Sequence, residues 1–275
     1  MLKDITLGQY FPGNSPLHRI DPRMKLIMAL IFIVTVFFAD NLITIGVITL
    51  ISFLLIPLGK IPFGTVFKSL KALKWILLFT TVLNLFWVKN GTPLVDFYFI
   101  HIYSGGIVYA LNMVLRVTCL LVGSTILLSY TTSPIALTDG LEQLLAPLKK
   151  IGVPVHEFAM MMTIALRFIP TLIEETDKIM SAQKARGADF ETGSVFARMK
   201  ALIPIFIPLF ISSIRRADEL ATAMECRCYH GGNGRTRMKV LRYHTRDFVA
   251  LLLCLMFMAG IIGMRFAPLP AFLGI

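Results

Sequence analysis

Long apolar runs separated by short polar breaks dominate the first half of the chain. Leu26–Ala39, Leu42–Leu58, Trp75–Val88 and Ile107–Tyr130 read as membrane spans, and Phe248–Met264 returns to the same character near the end. Several are shorter than the roughly 20 residues a bilayer requires, so flanking residues must extend them. Only Asp40-Asn41 separate the first two, which predicts a tight helical hairpin. Ile61-Pro62-Phe63-Gly64 breaks the helix before the third span. Residues 89–106, with Asn90-Gly91, Pro93 and Gly105-Gly106, predict a loop. Asn90-Gly91-Thr92 has the form of a glycosylation acceptor, but Asn-Gly is more simply a turn. Ahead of the first span, Gly8, Pro12, Gly13, Pro16 and Pro22 predict an ordered surface loop, with no apolar core for a signal peptide.

Between Thr131 and Arg246 the pattern changes to helical periodicity with interleaved charge. One helix is expected from Val155 to Ala185. Met162, Ala165, Ile169, Leu172, Ile173, Thr176 and Met180 fall on one side, and Arg167, Thr171, Glu174 and Lys178 on another. That is the spacing of an amphipathic helix rather than a span, with a kink expected at Pro170. A second is expected from about Pro204, with Ile207, Ile211, Ile214, Ala217, Ala221 and Met224 in line. Ala217 and Ala221 form a small-xxx-small pair that admits a close helix neighbour. We therefore expect two crossed helices presenting an apolar surface. A shorter amphipathic piece runs from Pro134 to Lys149.

Each long helix closes on a compact basic signature. The first ends in Ala185-Arg186-Gly187, the second in Cys226-Arg227-Cys228-Tyr229-His230 followed by Gly231-Gly232. An arginine at a helix C-terminus is favoured by the helix dipole and can serve as a cap. Arginine is also the side chain best suited to bidentate pairing with a partner's carboxylate. Both readings stay open for Arg186 and Arg227.

Composition fits this outline. Of 275 residues, 56% are hydrophobic and 16% charged, well below the roughly 25% charge of a soluble domain. The net charge of +11 is assigned to basic membrane-flanking loops, not to nucleic-acid binding. Residues 1–25 and 59–74 carry four Lys or Arg each and residues 131–246 carry sixteen, against only Lys89 and Arg265 on the alternate side. That division predicts a cytoplasmic N-terminus, five spans and an external C-terminus. The expected organisation is a four-span membrane domain (1–130), a cytoplasmic domain of crossed amphipathic helices (131–246), and a final span with its tail (247–275). The fold class is an all-α integral membrane protein.

Chemistry is sparse. Cys119, Cys226, Cys228 and Cys254 are too few for a disulfide framework. Were the helix to continue, Cys226 and Cys228 would point about 200° apart, a poor start for a metal site. Asp139, Glu142, His156 and Glu157 are the acid–base candidates for a membrane enzyme, and none has a spacing that demands catalysis. Arg116 lies mid-span near Asn112, where polar residues face a bundle interior or a transport pathway. A self-sufficient secondary transporter or channel is the alternative built on that pair.

The sequence resembles the transmembrane T component of energy-coupling factor (ECF) transporters, ABC-type importers of vitamins and trace nutrients. The resemblance covers nearly the whole chain. It rests on Pro12-Gly13-Asn14-Ser15-Pro16 with His18-Arg19-Ile20-Asp21-Pro22-Arg23, on Thr132-Ser133-Pro134, and on Ala165-Leu166-Arg167-Phe168-Ile169-Pro170. Its most specific parts are Ala182-Gln183-Lys184-Ala185-Arg186-Gly187 and Ala223-Met224-Glu225-Cys226-Arg227-Cys228-Tyr229. The family carries two Ala-Arg-Gly-type signatures; the second departs here, with cysteines on both sides of the arginine. The resemblance implies that Ala185, Arg186, Gly187, Cys226, Arg227 and Cys228 dock on two cytoplasmic ATPases. It implies that the apolar surface, with Met162, Ile169, Leu172, Ile207, Ile211, Ala217 and Ala221, holds a small substrate-binding S component. The chain would then be a non-catalytic subunit of the plasma membrane, with ATP and Mg bound by its partners. The absence of any Gly-x-x-x-x-Gly-Lys-Ser/Thr loop agrees with that.

Overall fold

In the computed structural model the described residues are 10–88, 93–97, 100–190, 192, 194–232 and 240–266. Asn90-Gly91-Thr92 and Lys89 lie outside them. The described elements are α1 (Pro22–Phe38), α2 (Leu42–Gly59), α3 (Phe63–Ala72), α4 (Lys74–Trp87), β1 (Pro93–Phe97), β2 (Ile100–Tyr103) and α5 (Ser104–Ser124). After α5 come a π-helical turn (Thr125–Tyr130), α6 (Pro134–Leu145), a 3₁₀ turn (Ala146–Ile151), α7 (Val155–Ala185), α8 (Val195–Glu225) and α9 (Thr245–Phe266). The chain is thus a helical integral membrane protein. Among the described residues α2, Ser104–Tyr130, α7 and Thr245–Met264 are long and apolar enough to cross a membrane. The inclusion of α7 qualifies its amphipathic reading, although its apolar stretch gives out at Glu174 and Glu175.

The chain divides into two compact units: residues 10–143 with 241–266, and residues 144–232 with 240.

In the first unit, α1 starts earlier than hydropathy suggested. Asp21 is its N-cap, accepting from the Arg23 amide at 2.9 Å, with Pro22 pre-set for the first turn. Asp21 also takes a two-pronged pairing from the Arg23 guanidinium. Asp247, only 1% exposed, ties this start to that of α9: one carboxylate oxygen accepts from the Asp21 amide and the other from the His244 amide. The second contact is a capping-box bond at the head of α9. A single buried acid therefore joins two helix N-termini.

The expected hairpin of the first two spans is corrected. The two-residue break exists, but α1 lies against α9 and α5, and α2 lies against α5. Close approach of α5 to α1 depends on Gly123, where a Cβ would sit 2.2 Å from the Phe32 ring. Ala29, Phe32, Val36, Ile45, Ile48, Cys119, Leu127 and Ile261 share one buried cluster across α1, α2, α5, the π-turn and α9. Arg116, which had no acid in its own span, donates to the Ala39 carbonyl and so caps the C-terminus of α1.

Three elements escaped the hydropathy pattern. Residues 63–72, expected as part of a polar break, form α3. Within the expected loop, β1 and β2 pair as antiparallel strands, with a register irregularity between Pro93 and Val95. The end of the long span relaxes into the π-turn, and the buried Lys25 closes that end: its Nζ donates to the Thr131 carbonyl (2.8 Å), Thr131 Oγ1 (3.2 Å) and Thr132 Oγ1 (2.9 Å). All three ammonium donors are used, which is what burial of a lysine demands.

Candidate functional site

The site is built on α7 and α8. Each is an uninterrupted helix of 31 residues; Pro170 lies inside α7, and Pro204 and Pro208 lie inside α8. The expected start of α8 near Pro204 is therefore corrected to Val195. Apolar residues surround those prolines, and helix propagates through the one backbone donor lost at each.

The helices meet near their midpoints. Glu175 of α7 accepts from Arg216 of α8 at 2.8 Å and from the Ser212 hydroxyl. Beside this pair, Ile164, Phe168 and Leu172 face Ser213, Ala217, Leu220, Ala221 and Met224 across an apolar cleft of about 280 Å³. The Ser212 hydroxyl, together with Arg216, holds the Glu175 carboxyl below its ordinary pKa. The crossing is thus fixed by one ion pair and bordered by small residues. Sequence periodicity named Ala217 and Ala221 as the close-approach pair, and they do line this cleft. It missed Glu175, whose signal was an acid one position past a charged-face residue, Glu174.

The other residues of the expected S-component surface divide between the cleft and the exposed side of the helices. Met162, Ile207 and Ile211 are exposed at 40%, 56% and 53%, while Leu172 lines the cleft and Ile169 is half-buried. Phe196, Met199, Ile203, Phe206 and Phe210 extend the exposed apolar side of α8 toward its N-terminus.

The two signatures, different in sequence, fold into one turn. Past α7, the Gly187 amide donates to the Lys184 carbonyl and the Ala188 amide to the Gln183 carbonyl, both at 3.0 Å. Past α8, the Cys228 amide donates to Glu225 (2.8 Å) and the Tyr229 amide to Met224 (3.1 Å). Each is a Schellman motif with the arginine at the cap position and a left-handed residue after it. That residue is Gly187 at φ +90° in one and Cys228 at φ +55° in the other. Since α8 stops at Glu225, the two cysteines flank the cap and do not occupy successive helical positions. Arg186, Arg227, Cys226 and Cys228 are all exposed. Among the described residues neither arginine has an ion-pair partner.

The two ends are also far apart. After the second signature the chain returns to the head of α7, where a Cβ on Gly232 would lie 2.5 Å from the His156 ring. Arg186 sits at the opposite end of that helix, about 45 Å away at 1.5 Å per residue. The five residues from Arg227 to Gly232 recover at most about 18 Å. The arginines are therefore at least about 20 Å apart and cannot share one small ligand.

The chain is similar to known transport proteins. The family profile described as cobalt transport protein (CbiQ) matches residues 13–239. Proteins named energy-coupling factor transporter transmembrane protein EcfT are similar along most of their length. The Clostridium kluyveri protein is 54% identical over 259 residues, covering 93% of this chain and 94% of that one. The Acidaminococcus fermentans protein is 55% identical over 249 residues, covering 90% and 91%. The Bacillus subtilis protein is 47% identical over 247 residues, covering 90% and 93%.

Proposed function

The chain belongs to the CbiQ family of energy-coupling factor transporter transmembrane proteins, and on that premise we propose that α7 and α8 are levers driven by two ATPases. Each exposed cap, Ala185-Arg186-Gly187 and Cys226-Arg227-Cys228, docks on one ATP-binding subunit at the cytoplasmic face. The arginine enters a groove lined by acidic side chains. Charge-assisted pairing suits that contact, because a planar guanidinium on a rigid helix end loses little entropy when it docks.

The observation supporting this reading is the pair of matched helix ends, each tipped by an exposed arginine with no ion-pair partner among the described residues, too far apart for one ligand. Two copies of the same turn call for two copies of a similar socket. When the ATPases close, the caps move toward each other, and the Glu175–Arg216 crossing transmits that motion as a change of angle. The exposed apolar side of the levers, including Met162, Ile207 and Ile211, holds a small membrane S component. Tilting that component opens its vitamin or trace-nutrient site to the cytoplasm. ATP and Mg are bound and used by the ATPases, and this chain performs no chemistry of its own. It lies in the plasma membrane with its N-terminus inside, as the distribution of Lys and Arg favours.

Co-purification tests the reading. The tagged wild-type chain should bring down ATPase subunits and a small membrane protein, and Arg186→Glu with Arg227→Glu should lose the ATPases. A wild-type chain that purifies alone and supports uptake in ATP-free vesicles would overturn it and favour a stand-alone transporter.

A further inference from the structure

We propose that α3 is an interfacial anchor that binds the headgroups of anionic phospholipids, in the leaflet where α2 ends. Its position follows from chain connectivity. Gly59 ends the membrane helix α2, and Lys74 begins the apolar helix α4, so the ten residues of α3 are held at the bilayer surface from both ends.

Its faces are sorted for that place. Val66 is buried in a cluster with Ile56, Ile61, Val122, Ile126 and Tyr130, Leu70 packs against that cluster, and Ser69 hydrogen-bonds the Tyr130 hydroxyl at 2.8 Å; together they form the inward face. At about 100° per residue, Phe63 and Phe67 come next around the helix, and Lys71 and Lys68 follow. The phenylalanines are 51% and 59% exposed and both lysines are exposed. An apolar ridge thus lies between the core and a cationic edge. Lys60 and Lys74 extend that edge past both ends of the helix, and the Lys74 ammonium lies 5.5 Å from the ring of Trp75, itself 73% exposed. No Asp or Glu occurs between Asp40 and Asp96, so the sequence around these lysines supplies no counter-charge.

A lipid surface satisfies all of this at once. The rings enter the acyl boundary, and the lysine stems follow them while the ammonium groups reach phosphate. Lysines held near an anionic surface attract its headgroups, and four together enrich anionic lipid locally.

The test uses the full chain in nanodiscs, with Trp87→Phe so that Trp75 is the only tryptophan. Brominated phosphatidylglycerol and brominated phosphatidylcholine are compared as quenchers at equal mole fraction. Brominated phosphatidylglycerol should quench roughly twofold more strongly or better. Changing Lys60, Lys68, Lys71 and Lys74 together to Gln should abolish the preference, and changing them to Arg should keep it, which separates lost charge from a lost fold. Equal quenching in the parent, or a preference that survives the Gln substitutions, overturns the proposal. Absence of quenching by either lipid would mean that protein covers this face, and overturns it too.

Discussion

The two lever ends share one backbone and differ in how they reach it. Gly187 adopts its left-handed conformation without a Cβ to object, and a Cβ there would meet nothing within 4 Å. Cys228 adopts the same region with a side chain, which costs about 1 kcal/mol. The second end tolerates that cost because its turn is closed by the same two backbone bonds. The comparison teaches that two different sequences, Ala185-Arg186-Gly187 and Cys226-Arg227-Cys228, build the same capped helix end with an exposed arginine.

The largest expected effect comes from removing what the ends share. Arg186→Glu and Arg227→Glu, made singly, should each cut ATP-dependent uptake at least about tenfold, the loss expected when a charge-assisted docking contact is reversed. A strong effect at one end and none at the other would break the equivalence. A smaller effect probes what differs. Gly187→Ala should lower stability by about 1 kcal/mol through conformation alone, and Cys228→Gly should raise it by a similar amount. Thermal unfolding of the purified chain reads both, and shifts of the same sign would contradict the shared turn.

The smallest effect lies at the crossing that links the ends. Glu175→Gln should cost roughly half a kcal/mol, because the pair is partly exposed. Its signature is functional: ATPase subunits should stay bound while uptake per ATP falls. The pH dependence has a fixed sign. A carboxyl whose pKa is depressed in the folded chain stabilises fully above its unfolded value of about 4.3. That contribution is lost as the pH falls through the depressed value, and Glu175→Gln should remove this part of the acid sensitivity.

The sequence disclosed these regions unequally. The ends were legible because arginine and glycine at a helix terminus report local backbone chemistry, and Arg186 and Arg227 stand out from sequence spacing alone. The equivalence of Cys228 with Gly187 was hidden, since no propensity places a cysteine at positive φ; the hydrogen bonds to Glu225 and Met224 reveal it. The spans were legible as apolar runs, but their packing was not. The close packing of α5 on α1 depends on Gly123 meeting Phe32, a contact between residues 91 positions apart. The ties of Lys25 to Thr131 and of Asp247 to Asp21 are likewise long-range pairings of polar groups that hydropathy counts only as interruptions. Helix α3 was lost because Pro62 and Gly64 read as breakers, whereas Pro62 is its N-cap and Gly64 lies in its first turn.

The central claim is that both ends engage the same kind of partner. Photo-crosslinking residues placed in turn at 186 and 227 of the chain in native membranes test it most directly, with the captured protein identified by mass spectrometry. An ATP-binding subunit should be captured from each position. Capture of such a subunit from one position only, or of a membrane subunit from either, would contradict the account.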